Sequence, residues 1–130
     1  MSTAEIITVR PEHSIDTKQR LPYFVGISGA TAGTTGLSLN MVVIPPGARA
    51  EPHSHVGFET AIYLLQGQVE TRYGEGLGRT VVNQPGDFVY IPAGLPHQAI
   101  NLSATEPAIA IVARNDADEQ EHVEPYQPPR

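Results

Sequence analysis

Apolar residues along this chain fall into short runs, each closed by glycine, proline or a small polar cluster, which is the pattern of strands rather than helices. Leu37–Ile44 reads as a strand stopped by Pro45-Pro46-Gly47. Thr60–Leu65, Val69–Tyr73, Arg79–Asn83, Asp87–Ile91, His97–Asn101 and Ala108–Ala113 continue the series, with branched and aromatic residues between turn signals. Tyr23–Ser28 precedes them, and a short strand is expected at Ile6–Val9. The small-residue stretch GATAGTTG, ending at Gly36, reads as a loop. No helical period and no internal repeat stand out. The pattern predicts one all-β domain, a barrel or double-sheet roll. Residues 1–36 are expected to add strands and a loop that pack on the barrel, 37–115 to form its core, and 116–130 to form an acidic, proline-containing tail.

Alternation within the strands assigns faces, because successive side chains point to opposite sides. A two-residue turn at Gln66-Gly67 predicts a hairpin that pairs Leu64 with Val69 and Ile62 with Thr71. One face then carries Ile62, Leu64, Val69 and Thr71, is free of charge, and is read as the interior. Tyr73 follows the same parity and is read as lining the pocket. Thr60 shares this face, whereas Glu59 has the opposite parity. Tyr63 and Arg72 fall outside, and Phe88 and Tyr90 are read as core and sheet residues.

A length of 130 residues fits a single domain. The net charge of −6 and only eight scattered Lys and Arg argue against nucleic acid and anionic membrane as partners. Much of the acidity sits in residues 116–124, DADEQEHVE, read as a solvated segment. Cysteine is absent, which excludes disulfides, thiolate metal sites and cysteine nucleophiles. The N-terminus lacks the apolar core of a signal peptide, and no apolar run approaches a membrane span, so a cytoplasmic location is expected.

The candidate chemistry lies in EPHSHVGFETAIYLLQG, residues 51–67. His53 and His55 are two apart, so an extended backbone puts both imidazoles on one side. Such a pair suits a divalent transition metal and is a weak signal alone. A second stretch, GDFVYIPAGLPHQAIN at 86–101, uses Pro92 and Gly94 to form a corner that delivers His97 to a strand start. His13 and His122 lie outside both stretches and are read as exposed.

Together the two stretches resemble the cupin family. Gly47, His53 and His55 match the start of its first motif. Gly86, Pro92, Gly94, His97 and Asn101 match its second at every spacing. The resemblance implies a double-stranded β-helix (jelly-roll-like) barrel with one divalent metal in its mouth. The implied ligands are His53, His55, Glu59 and His97, and the ion is Fe, Mn, Ni, Cu, Co or Zn. Glu59 departs from the pattern, because seven residues rather than six separate it from Gly67, and the glutamate slot falls on Thr60. A bulge at the strand start would re-aim Glu59 onto the metal; the alternative is an outward Glu59 and a three-histidine site, weaker for hard ions such as Mn²⁺. The expected function is a metal-dependent small-molecule enzyme of dioxygenase or isomerase type, with no catalytic residue assigned. The alternative is a non-catalytic ligand- or metal-sensing module acting through a protein partner. Asn101 and Gln98 are read as bonding backbone, and a homodimer through the outer sheets is implied by resemblance.

Overall fold

The computed structural model describes residues 4–11, 15–16, 21–118 and 122–128. Eleven strands are found among them: β1 (Ile15–Asp16), β2 (Pro22–Ile27), β3 (Ser38–Ile44), β4 (His53–His55), β5 (Thr60–Gln66), β6 (Val69–Tyr73), β7 (Arg79–Asn83), β8 (Phe88–Ile91), β9 (His97–Asn101), β10 (Ala108–Arg114) and β11 (Val123–Pro125). One sheet has the order β1-β2-β3-β10-β5-β8 and the other β11-β4-β9-β6-β7, with antiparallel neighbours throughout. The two sheets close into a double-stranded β-helix barrel.

Alternation sets the core. In β10 every second residue is buried: Ala108, Ala110, Val112 and Arg114. The core joins Val42, Ile44, Leu64, Ala108, Ala110 and Val112 of the first sheet to Val69 of the second, with Leu21, Tyr23 and Ala50 around them. Phe88 and Tyr90, read as core and sheet residues, do lie in β8, but they face outward and are 85 % and 60 % exposed. In β8 the inward positions are Val89 and Ile91, which line the interior. Tyr63 packs against Phe88 outside, with ring centroids 4.7 Å apart and the planes inclined by 56°.

The expected hairpin at Gln66-Gly67 does not form. β5 pairs with β10 and β8, whereas β6 pairs with β9 and β7, so the chain crosses between sheets here. The face assignment survives because parity depends on the strand alone and not on its partner. Gly67 makes the corner with φ +90°, and a Cβ there would lie 2.8 Å from both Cα and Cβ of Ala108. Gly67→Ala should therefore cost roughly 2 kcal/mol, from backbone strain and forced repacking together. A urea titration that leaves the midpoint unchanged would contradict this reading of the corner.

Three further expectations change. Ile6–Val9 forms no strand, and Ile6 is 98 % exposed. Within GATAGTTG, a single helical turn, α1 (Gly29–Ala32), is started by a capping box between Ser28 and Thr31. The segment after residue 115 is not simply solvated. β11 pairs along β4, Val123 opposite His55 and Pro125 opposite His53, and Val123 is buried. Asp116 is buried and holds His122 Nδ1 at 2.7 Å, which raises the imidazole pKa. His122 is exposed, as expected, and is paired with Asp116. His13 lies outside the described residues. Among the described residues, no helix is long and apolar enough to cross a membrane.

Candidate metal centre

His53 and His55 both point inward from β4, and His97 lies opposite His53 at the start of β9. The turn through Pro92 and Gly94 is tied to β4 by Gly94 N–H donating to the His55 carbonyl at 2.9 Å. The three rings are buried, with centroids 4.3 to 5.3 Å apart. One nitrogen from each lies within 4.8 Å of the others.

Their protonation follows from burial. Desolvation, reinforced by neighbouring positive charge, lowers His53 to about 3, His55 to about 2 and His97 to about 4. All three are neutral near pH 7, as ligands must be. The Nδ1 atoms of His53 and His97 lie 2.7 and 2.9 Å from the carbonyls of Glu51 and Leu95, so each Nδ1–H donates there and leaves Nε2 with its lone pair. Arg114 Nη2 lies 3.3 Å from His55 Nε2. Arginine only donates, so His55 also keeps its Nε2 lone pair, and its proton sits on Nδ1, which is buried without a partner. Three neutral imidazoles, with one nitrogen of each within 4.8 Å of the others, fit a divalent ion.

Glu59 is not brought to this cluster, which corrects its assignment as the fourth ligand. Its carboxylate accepts from Tyr90 Oη at 2.6 Å on the outer face, and its backbone N–H donates to Asn115 Oδ1 at 2.8 Å. No bulge re-aims it; β5 starts at Thr60, and Thr60, 1 % exposed, takes the inward position. Thr60 Oγ1 accepts from Arg114 Nε at 3.1 Å. A cation therefore stands where an anionic ligand was expected.

An apolar cavity of about 80 Å³ runs inward from the histidines. Thr60, Ile62, Leu64, Val69 and Thr71 line it, as do His53, His97 and Arg114. Tyr73 does not. Its ring lies under the Arg79 guanidinium, 4.9 Å from the ring centroid. Sequence reasoning missed Arg114 and Tyr23, whose hydroxyl accepts from Arg114 Nη2 at 3.2 Å. The signal for Arg114 was present: in AIAIVAR it is in phase with Ala108, Ala110 and Val112, the buried face of β10.

A family model described as "Cupin domain" matches residues 40–114, more than half of the chain. The chain belongs to the cupin family. A curated cupin relative, germin-like protein subfamily T member 3 of Arabidopsis thaliana, is 33 % identical over 91 residues, which is 64 % of this chain and 37 % of that protein. The chain thus spans little more than a third of that relative. Among solved cupin structures, oxalate decarboxylase of Lactobacillus farciminis in its formate complex superposes with a TM-score of 0.71 at 24 % identity, over 82 % of this chain and 32 % of that one. Recombinant oxalate oxidase in complex with glycolate gives 0.67 at 25 %, over 79 % and 54 %. An uncharacterized conserved protein of Klebsiella pneumoniae with a double-stranded β-helix domain gives 0.67 at 18 %, over 83 % of this chain and 87 % of that one, so the same fold occurs in a chain of similar length.

Proposed function

We propose that this cupin binds one divalent transition metal through His53, His55 and His97 and acts on a small molecule held in the adjoining cavity. The observation that carries the reading is the convergence of three buried, neutral imidazoles, two of them oriented by backbone carbonyls. When bound, the ion would supply Lewis acidity or a site for oxygen, which are the needs of isomerase- and dioxygenase-type chemistry respectively. The protein's own part is to hold three Nε2 lone pairs in place, to exclude water with an apolar wall, and to present Thr60 and Arg114 beside the histidines. Without a carboxylate the ligand set is all nitrogen, which favours Fe, Co, Ni, Cu or Zn over Mn. A small-molecule role is in keeping with the formate and glycolate complexes of the oxalate-processing relatives.

A second reading is a non-catalytic binding or sensing module. The hydrogen bond from Arg114 to His55 Nε2 favours it, because metal binding through that atom must displace the bond and bring two cations close. In either case the homodimer implied by the resemblance would cover the outer face of the first sheet, where Phe88 and Tyr90 are exposed.

Elemental analysis of untagged protein, prepared without chelator and incubated with each ion, tests the metal. Near-stoichiometric metal is expected in the natural chain, loss of at least 90 % in His97→Ala, and full retention in Glu59→Gln. Loss in Glu59→Gln would return the glutamate to the ligand set. Failure of the natural chain to take up any of these ions would sink the metal reading and leave the binding module.

A further inference from the structure

Arg114 ends β10 with its side chain inside the barrel, 6 % exposed. Its partners are a threonine hydroxyl, a tyrosine hydroxyl and an imidazole, all neutral. Nη1 has no partner and is shut off from bulk water. The ion pairs among the described residues are Arg72–Glu70 and His122–Asp116, and neither involves Arg114. A guanidinium does not lose its proton, so a full positive charge stays in the interior without a counter-ion. Such a charge is strongly disfavoured unless an anion joins it.

The rest of the cavity narrows the choice of anion. Its wall carries Val42, Leu64, Ile91 and Val112, and among the described residues Arg114 is the one permanent charge on it. In the metal-free protein a second anionic group would find no counter-charge on that wall. The volume of about 80 Å³ holds roughly five to eight water-sized groups. A planar carboxylate matches the guanidinium fork better than a spherical anion does.

We propose that the cavity selects a short monocarboxylate, its carboxylate paired with Arg114 and its branched or linear aliphatic body against Val42, Leu64, Ile91 and Val112. The proposal rests on reading the cavity as a small-molecule site, but not on the metal. It makes Arg114 a specificity-determining residue and, in the metal-free protein, separates this chain's ligand from short dicarboxylates.

The test uses full-length protein dialysed free of metal, with isobutyrate, its neutral isostere isobutyramide, and oxalate as probes in calorimetric titrations. Isobutyrate is expected to bind at least tenfold tighter than isobutyramide and tenfold tighter than oxalate. Arg114→Met should remove the preference for acid over amide, and Arg114→Lys should keep part of it. Metal uptake by Arg114→Met, measured in parallel, should be equal or tighter, since a neighbouring cation is gone. Equal binding of acid and amide by the natural chain would overturn the proposal, even if neither variant folds. Stabilisation by chloride or sulfate but not isobutyrate would do the same. If selectivity is absent but metal uptake is intact, only this inference fails. If the natural chain takes up neither probe nor metal, the reading of the cavity as a small-molecule site fails with it.

Discussion

Metal-free protein should lose most of its stability between pH 6.5 and pH 4. In the unfolded chain His53, His55 and His97 titrate near 6.5, whereas burial holds them at about 3, 2 and 4 in the folded state. As pH falls below 6.5, the unfolded state takes up protons and the folded state does not, so protons favour unfolding. The stabilising contribution is complete above 6.5 and is lost as pH falls towards the folded-state values. A tenfold difference in proton affinity between the two states corresponds to ~1.4 kcal/mol, so three groups together reach the order of several kcal/mol at pH 4, comparable with the whole stability of a domain. His122 acts in the opposite sense: its raised pKa supports folding at low pH, and that support fades as pH rises past its folded value. It is exposed, and it does not offset three buried rings. Melting followed by circular dichroism from pH 8 to pH 4, in the presence of EDTA, reads the effect. His97→Gln should flatten the slope by about a third. A melting temperature that is constant from pH 7 to pH 4.5 would show that the rings reach water or protonate without cost.

Asn101→Ala should lower stability by about 3 kcal/mol, or roughly 10 °C in Tm, while leaving metal uptake unchanged. Asn101 is 3 % exposed at the end of β9. Its Nδ2 donates to the carbonyls of Ile44, Pro45 and Glu106 at 3.0, 3.2 and 2.8 Å, and its Oδ1 accepts from Ser103 N–H at 2.9 Å. One side chain thus ties the end of β3 to the loop that leads into β10. Truncation takes this donor from the Ile44 carbonyl, which is buried, and from the part-buried carbonyl of Glu106, whereas the Pro45 carbonyl keeps the Ala48 N–H at 3.0 Å; a buried acceptor that loses its donor costs more than the bond alone. Asn101→Asp should be at least as damaging, because a carboxylate cannot donate to three carbonyls. Gln98 makes a single such bond, to the Ala50 carbonyl at 3.0 Å, and Gln98→Ala should cost less. Equal melting temperatures for Asn101→Ala and the natural chain would show that the clamp is redundant.

The contrast between Glu59 and Thr60 shows what the sequence made legible. Strand parity is a local property, so it placed Thr60, Ile62, Leu64, Val69 and Thr71 on the inner face without knowledge of their neighbours. The same parity put Glu59 outside; the bulge invoked to bring it back came from the family pattern, not from these residues. Partner choice was not legible, because Gln66-Gly67 has the composition of a tight turn whether the strands pair or part. Only contact with Ala108, some forty residues on, distinguishes a corner from a hairpin. β11 was hidden for a related reason. Three residues in an acidic run carry too little pattern to announce a strand, and its pairing with β4 depends on a distant segment. Arg114 could have been read, since a charge in phase with a buried face is a conflict between levels, and such conflicts mark functional positions.

The place of β10 in its sheet has a kinetic consequence. It lies between β3 and β5, with Arg114 opposite Ser38 on one side and Thr60 on the other. Neither neighbour gains this partner until a segment far along the chain arrives, so large loops must close before most of the pairing is rewarded. Search over such separations puts β-rich domains in the millisecond-to-second range of folding times. During that interval β3 and β5 present bare strand edges to other copies of themselves. The conditions of refolding, dilution above all, then decide the yield of barrels before any metal or acid can bind.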